Sequence, residues 1–98
     1  MSTTSEGRLQ EVLTAVEGDL PSFVRRLVYQ VGPDWSGSDS VFVWVIEADD
    51  APADDAHYSE VRQRVRAALE RAGIPIWAYV YFRSEAEQLA EEHDGARP

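Results

Sequence analysis

Hydrophobic positions follow two rhythms along this chain. Over about residues 5–17 and 55–72 they recur every three or four residues, the period of a helix with one buried stripe. Between 41 and 48, and between 76 and 82, they alternate or run without a break, as in strands. The run Val41-Phe-Val-Trp-Val-Ile-Glu-Ala48 carries seven apolar residues in eight, most of them β-branched or aromatic. Val41, Val43 and Val45 share one side and Phe42, Trp44 and Ile46 the other. The pattern therefore predicts an interior strand covered on both faces.

The first helix is predicted from Ser5 to Glu17, with Leu9, Val12, Leu13 and Val16 as its stripe and Gly18 at its end. A second N-terminal helix is predicted to follow Asp19 and Pro21, with Phe23, Val24, Leu27, Val28 and Val31 as its stripe. Gly32 and Pro33 would stop it. A strand over 23–31 is the rival, since Leu27, Tyr29 and Val31 alternate; the adjacent Arg25 and Arg26 break that alternation and favour the helix. Residues 33–40 read as a loop, with Trp35 expected to tuck back against the core edge or, alternatively, to anchor a partner.

A third helix is predicted from Asp54 or Asp55 to Ala72. Gly73 suits the left-handed closing position, and Glu60–Arg64 and Arg66–Glu70 suit exposed ion pairs. Ile76 to Phe82 follows as the second strand. Ser84 and Glu87 stand at the spacing of a capping box that opens a short last helix to about Glu92. Strand, long helix, strand predicts a βαβ unit with parallel strands. The fold class is a small α/β (or α+β) domain spanning 1–98: a βαβ unit, two N-terminal helices, a crossover helix 55–72 and a C-terminal helix. Residues 1–4 and 94–98 are expected to be flexible tails. Two strands make a poor sheet, so a hidden strand in 23–31 or pairing across a dimer would relieve the shortage.

Charge narrows the possible partners. Nine basic residues, all arginine, face eighteen acidic ones, a net charge of −9. That opposes binding driven by phosphate neutralisation and attraction to an anionic membrane, and it suits a soluble protein with a basic partner or a cation. No cysteine is present, which excludes thiolate chemistry and disulfides. No apolar run is long enough to span a bilayer, and the N-terminus lacks the apolar centre of a signal peptide, which predicts a cytoplasmic location.

Two groups of residues could carry a function. Asp49 and Asp50 follow the carboxyl end of a parallel strand, where open α/β sheets place ligands, and Asp54, Asp55 and His57 lie close by. Their oxygens would suit Mg²⁺ or Ca²⁺. The plainer expectation is that Asp54 or Asp55 caps the helix, the others solvate a turn, and His57 lies at the surface. The second group is the row Trp77, Tyr79, Tyr81, closed by Arg83. Three large rings in register exceed what a solvated face needs and point to an interface, with burial under a helix as the alternative. Arg83 is expected to pair with an acid such as Glu87, or else to hold an anion. No nucleophile elbow and no phosphate loop is present, so catalytic residues are expected to be none. The expectation is an interaction module of inhibitor, antitoxin-like or adaptor type, homodimeric through the second strand or its aromatic face, or bound to another protein. A divalent-cation-dependent enzyme or small-ligand protein, and a subunit of a larger assembly, are the rivals.

Overall fold

A computed structural model describes the backbone of residues 2–52 and 54–95 and the side chains of residues 7–52 and 54–92. The order of elements is α1 (Ser2–Asp19), β1 (Val24–Pro33), β2 (Asp39–Glu47), α2 (Asp55–Arg71), β3 (Trp77–Ser84) and α3 (Glu85–Gly95). They form a small α+β fold around a three-stranded mixed sheet ordered β1-β2-β3. β2 runs antiparallel to β1 and parallel to β3. The long apolar run is thus the central strand, and its parallel partner lies beyond α2, as the βαβ pattern predicted. No helix among the described residues is long and apolar enough to cross a membrane.

One expectation fails: residues 24–33 are a strand, so one helix, not two, precedes the sheet. Pro21 closes a tight turn, its carbonyl accepting from the Val24 amide at 2.9 Å. The two arginines that break the alternation sit at a bulge between Val24 and Arg26, where the pairing with β2 slips by one residue. A bulge lets consecutive side chains leave on the solvent side without ending the strand. Beyond it, Leu27, Tyr29 and Val31 resume alternation opposite Val45, Val43 and Val41.

The core lies on one face of the sheet. Val41, Val43 and Val45 are fully buried there, under Leu9, Leu13 and Val16 of α1 and Val61, Val65 and Leu69 of α2. The other face of β2 is only partly covered, against the expectation of a strand sandwiched along its length. Ile46 is buried outside that core cluster, at the end reached by α3, while Phe42 and Trp44 remain half-exposed.

The helix ends follow local chemistry. Asp54 caps α2 by accepting the His57 amide at 2.8 Å. Gly73 closes the helix at φ +72°, with its amide on the Glu70 carbonyl and the Ile74 amide on that of Leu69. That is the paired closure of a left-handed glycine cap. Ser84 and Glu87 close a reciprocal capping box on α3. Glu60 and Arg64 pair at 3.0 Å as expected, but Arg66 turns away from Glu70 to the Ala78 carbonyl at 3.1 Å. The helices also extend into the segments expected to be tails, from Ser2 at one end and to Gly95 at the other. Met1 and residues 96–98 lie outside the described residues.

Gly73→Ala would place a Cβ in the left-handed region, and space is not the difficulty, since nothing lies within 4 Å of that Cβ. The expected loss is about 1 kcal/mol of unfolding free energy, from backbone strain alone. Chemical denaturation of the two proteins side by side checks it.

Candidate functional site

Seen from the side away from α1 and α2, the sheet is a floor of rings. Strand alternation brings Phe42 and Trp44 of β2 beside Tyr79 and Tyr81 of β3, matched pair for pair by the parallel register. The Phe42 and Tyr79 rings stack at 5.4 Å and 16°, and those of Trp44 and Tyr81 at 5.6 Å and 30°. Trp77 meets Tyr79 edge-on at 6.4 Å. Of the row predicted from sequence, Trp77 and Tyr81 are 53% and 43% exposed, and Tyr79 is half-buried by its neighbours. Among the described residues, α2 reaches the row only through the Arg66 side chain at Trp77, and Trp77 and Tyr81 stay exposed.

Arginines border the floor. The Arg66 guanidinium lies 4.1 Å from the Trp77 ring centre and that of Arg83 5.4 Å from Trp44. Arg83 donates to the Gln88 side chain at 2.7 Å and not to Glu87, which is held in the capping box. Neither Arg66 nor Arg83 meets a carboxylate among the described residues. At the far end Arg26 pairs with Glu92 at 2.6 Å, and Gln88 and then Arg26 hold that carboxyl below its usual range. These polar contacts seat α3, whose Leu89 is 66% exposed.

The β1–β2 hairpin completes the surface. Its loop is a tight turn from Asp34 to Gly37 followed by a one-residue bulge: the Gly37 amide donates to the Asp34 carbonyl and the Asp34 amide to that of Ser38, both at 2.9 Å. Gly37 sits at φ +88°, which the bulge demands and glycine tolerates. Trp35 occupies an outer corner of the turn and is 82% exposed, so it does not plug the core edge. Its ring rests beside Tyr79 at 5.2 Å.

Asp34 ties this turn to β3. Its carboxylate accepts from the Ser36 hydroxyl and amide, the Ser38 amide and, at 3.0 Å, the Tyr79 hydroxyl. These donors, Ser36 first, hold the carboxyl well below the usual carboxylate range, against the opposing effect of desolvation. Burial, and then the bond to Asp34, push the Tyr79 phenol up. Sequence reasoning singled out Trp35 and the β3 row but passed over Asp34, whose Asp-x-Ser-Gly pattern is the signature of such a turn.

The acidic group is not gathered into one site. Asp49 accepts the Ala86 amide at the start of α3, Asp54 caps α2, and Asp50 and Asp55 are exposed. His57 is not a surface residue: its ring pairs with Glu47, both side chains under 10% exposed, and meets Phe23 edge-on at 4.6 Å. Glu47 continues the alternation of Val41, Val43 and Val45, so its inward direction was written in the strand period. Beside this pair a cavity of about 190 Å³ is lined by Glu47, Asp49, Tyr58, Arg83, Ser84 and Glu87. Among the described residues, no three His, Asp or Glu side chains converge closely enough to hold a metal ion.

The chain matches no protein-family model and no curated protein. The chemistry of the site rests on its geometry.

Two outcomes are expected. A carboxylate whose pKa is lowered by folding stabilises the fold above its unfolded value, near 3.9, and loses that effect as pH falls toward the folded value. Asp34→Asn should therefore lower the melting temperature at neutral pH, by a margin that narrows below about pH 4. Second, millimolar Mg²⁺ or Ca²⁺ should leave the melting temperature of the native chain unchanged by calorimetry.

Proposed function

We propose that the chain is a non-enzymatic interaction module, inhibitor, antitoxin-like or adaptor in type, and that the ring floor of its sheet seats a protein partner. The observation that carries this reading is where the exposed apolar residues gather. Trp35, Trp77 and Tyr81, three of the five large hydrophobic residues that remain exposed among the described residues, belong to one side of the sheet, with Leu89 on the helix that flanks it. Rings of this kind, bordered by arginine, are what protein interfaces concentrate at their centres.

Charge describes the partner. No strand residue on the ring face is acidic, although the chain carries −9 overall. Arg66 and Arg83 stand at its border with only neutral hydrogen-bond partners. A complementary surface is apolar at its centre and carries carboxylates opposite these two arginines. The overall negative charge opposes the same rings stacking on a nucleic acid.

A photo-crosslinking residue placed at Trp35 or Trp77 should capture one and the same protein in native cells. Placed at Gln10, exposed on α1 on the opposite face of the sheet, it should not. Tyr81→Arg should abolish the capture by putting a third cation into the centre of the floor. Equal capture from all three sites, or capture indifferent to Tyr81→Arg, would remove this face from consideration.

A further inference from the structure

We propose that the outer edge of β1 pairs with the same edge of a second copy, joining two three-stranded sheets into one. Alternate residues of a strand present their N–H and C=O groups to the same edge. The Leu27 amide points away from β2, since Glu17 accepts it at 2.7 Å. The Asp34 amide points inward, to the Ser38 carbonyl at 2.9 Å. Leu27, Tyr29, Val31 and Pro33 therefore face outward, and Val28, Gln30 and Gly32 bond to β2.

This edge is blocked at both ends and open between them. Glu17 occupies the Leu27 amide, and Pro33 has no N–H to offer. Tyr29 and Val31 present two amides and two carbonyls with no partner among the described residues. The opposite edge of the sheet is treated differently. The outward carbonyls of Ala78 and Val80 on β3 accept from Arg66 at 3.1 Å and Arg62 at 3.4 Å. Edge strands are commonly masked in that way, and β1 is left unmasked over the one stretch 29–31.

The open stretch is complementary to itself. In an antiparallel register with Tyr29 of one copy opposite Val31 of the other, each pair exchanges both of its hydrogen bonds, and all four outward groups are satisfied on each copy. The two-fold axis then passes beside Gln30, which faces its own counterpart. That register asks nothing of Leu27 or Pro33. It brings Val31, 37% exposed, beside a tyrosine of the second copy.

Charge favours the same approach. β1 carries Arg25 and Arg26 and no acidic residue. Two chains of −9 can therefore meet along it without opposing strand carboxylates. The contact is short, which places the dimer in the weak, concentration-dependent class. Both ring floors would lie on the same side of the joined sheet, giving a partner with repeated sites two footholds. The pairing uses the strand edge and not the ring face, so either proposal can fail without the other.

The chain has no cysteine, so Gln30→Cys supplies a single thiol at the axis. Across such a pair the Cβ atoms stand about 5 Å apart, within reach of a disulfide after slight adjustment. Mild oxidation should couple Gln30→Cys chains at least tenfold faster than Gln63→Cys chains. Sedimentation of the native chain from low micromolar to near-millimolar concentration should show mass rising toward the dimer. Val31→Lys, a surface change, should hold the mass at the monomer with the circular dichroism of the native fold retained. Hydrogen exchange at the Tyr29 and Val31 amides should slow with concentration. A monomer at every concentration overturns the proposal. So does a dimer in which these amides stay unprotected and Gln30→Cys couples no faster than the control.

Discussion

The molecule depends on a strand that can be satisfied only from the middle. β2 is apolar on both sides, so it is bonded along both edges, fully shielded on one face and partly on the other. The edges are met by two strands of opposite sense, one from each side of the chain: β1 arrives by a tight hairpin and β3 returns after the α2 crossover. One face is met by α1 and α2, which bury Val41, Val43 and Val45. The other is met by α3 at one end only. There the sheet shields itself with its own rings, Phe42 under Tyr79 and Trp44 under Tyr81. What reads as interior strand in the sequence thus becomes an accessible floor in the structure.

Charge is sorted around that floor. Acidic side chains start helices and turns: Asp54 on α2, Asp49 and Glu87 on α3, Asp34 in the hairpin. Arginines do the opposite work, lying over rings and reaching edge carbonyls. A cluster of acids along the sequence is therefore not a cluster in space. Asp49, Asp54 and Glu87 each accept a backbone amide at a helix start, which holds them apart at separate helix ends. The Glu47–His57 pair is the exception, a polar contact sealed by Phe23, Tyr58 and Phe82 where α2 meets the sheet.

The two outer strands show how an edge is left open or closed. β3 is guarded from α2, because the crossover lays Arg62 and Arg66 along it. β1 follows α1 through a short turn, and among the described residues only Glu17 reaches its edge. The asymmetry comes from connectivity: a helix that crosses between parallel strands must pass over the second one, while a hairpin brings no guard with it.

The sequence by itself determined β2, β3, the crossover between them and their parallel sense, together with the caps at Gly73 and Ser84, and it narrowed the α2 cap to Asp54 or Asp55. These rest on short-range rules of period, propensity and capping, and each is complete within a few residues. It also marked the Trp77, Tyr79, Tyr81 row as more aromatic than a solvated surface requires. Only the tertiary structure decided that residues 24–33 are a strand, because helix and strand both explain the spacing of Leu27, Val28 and Val31. The choice fell to β2, whose free edge offers a ladder of hydrogen bonds that a helix could not supply, and a bulge at Arg25 absorbed the two charges. Exposure of Trp35, burial of His57 against Glu47, and the openness of the ring floor were likewise beyond local pattern. Each depends on what another part of the chain leaves uncovered, and that is settled by packing.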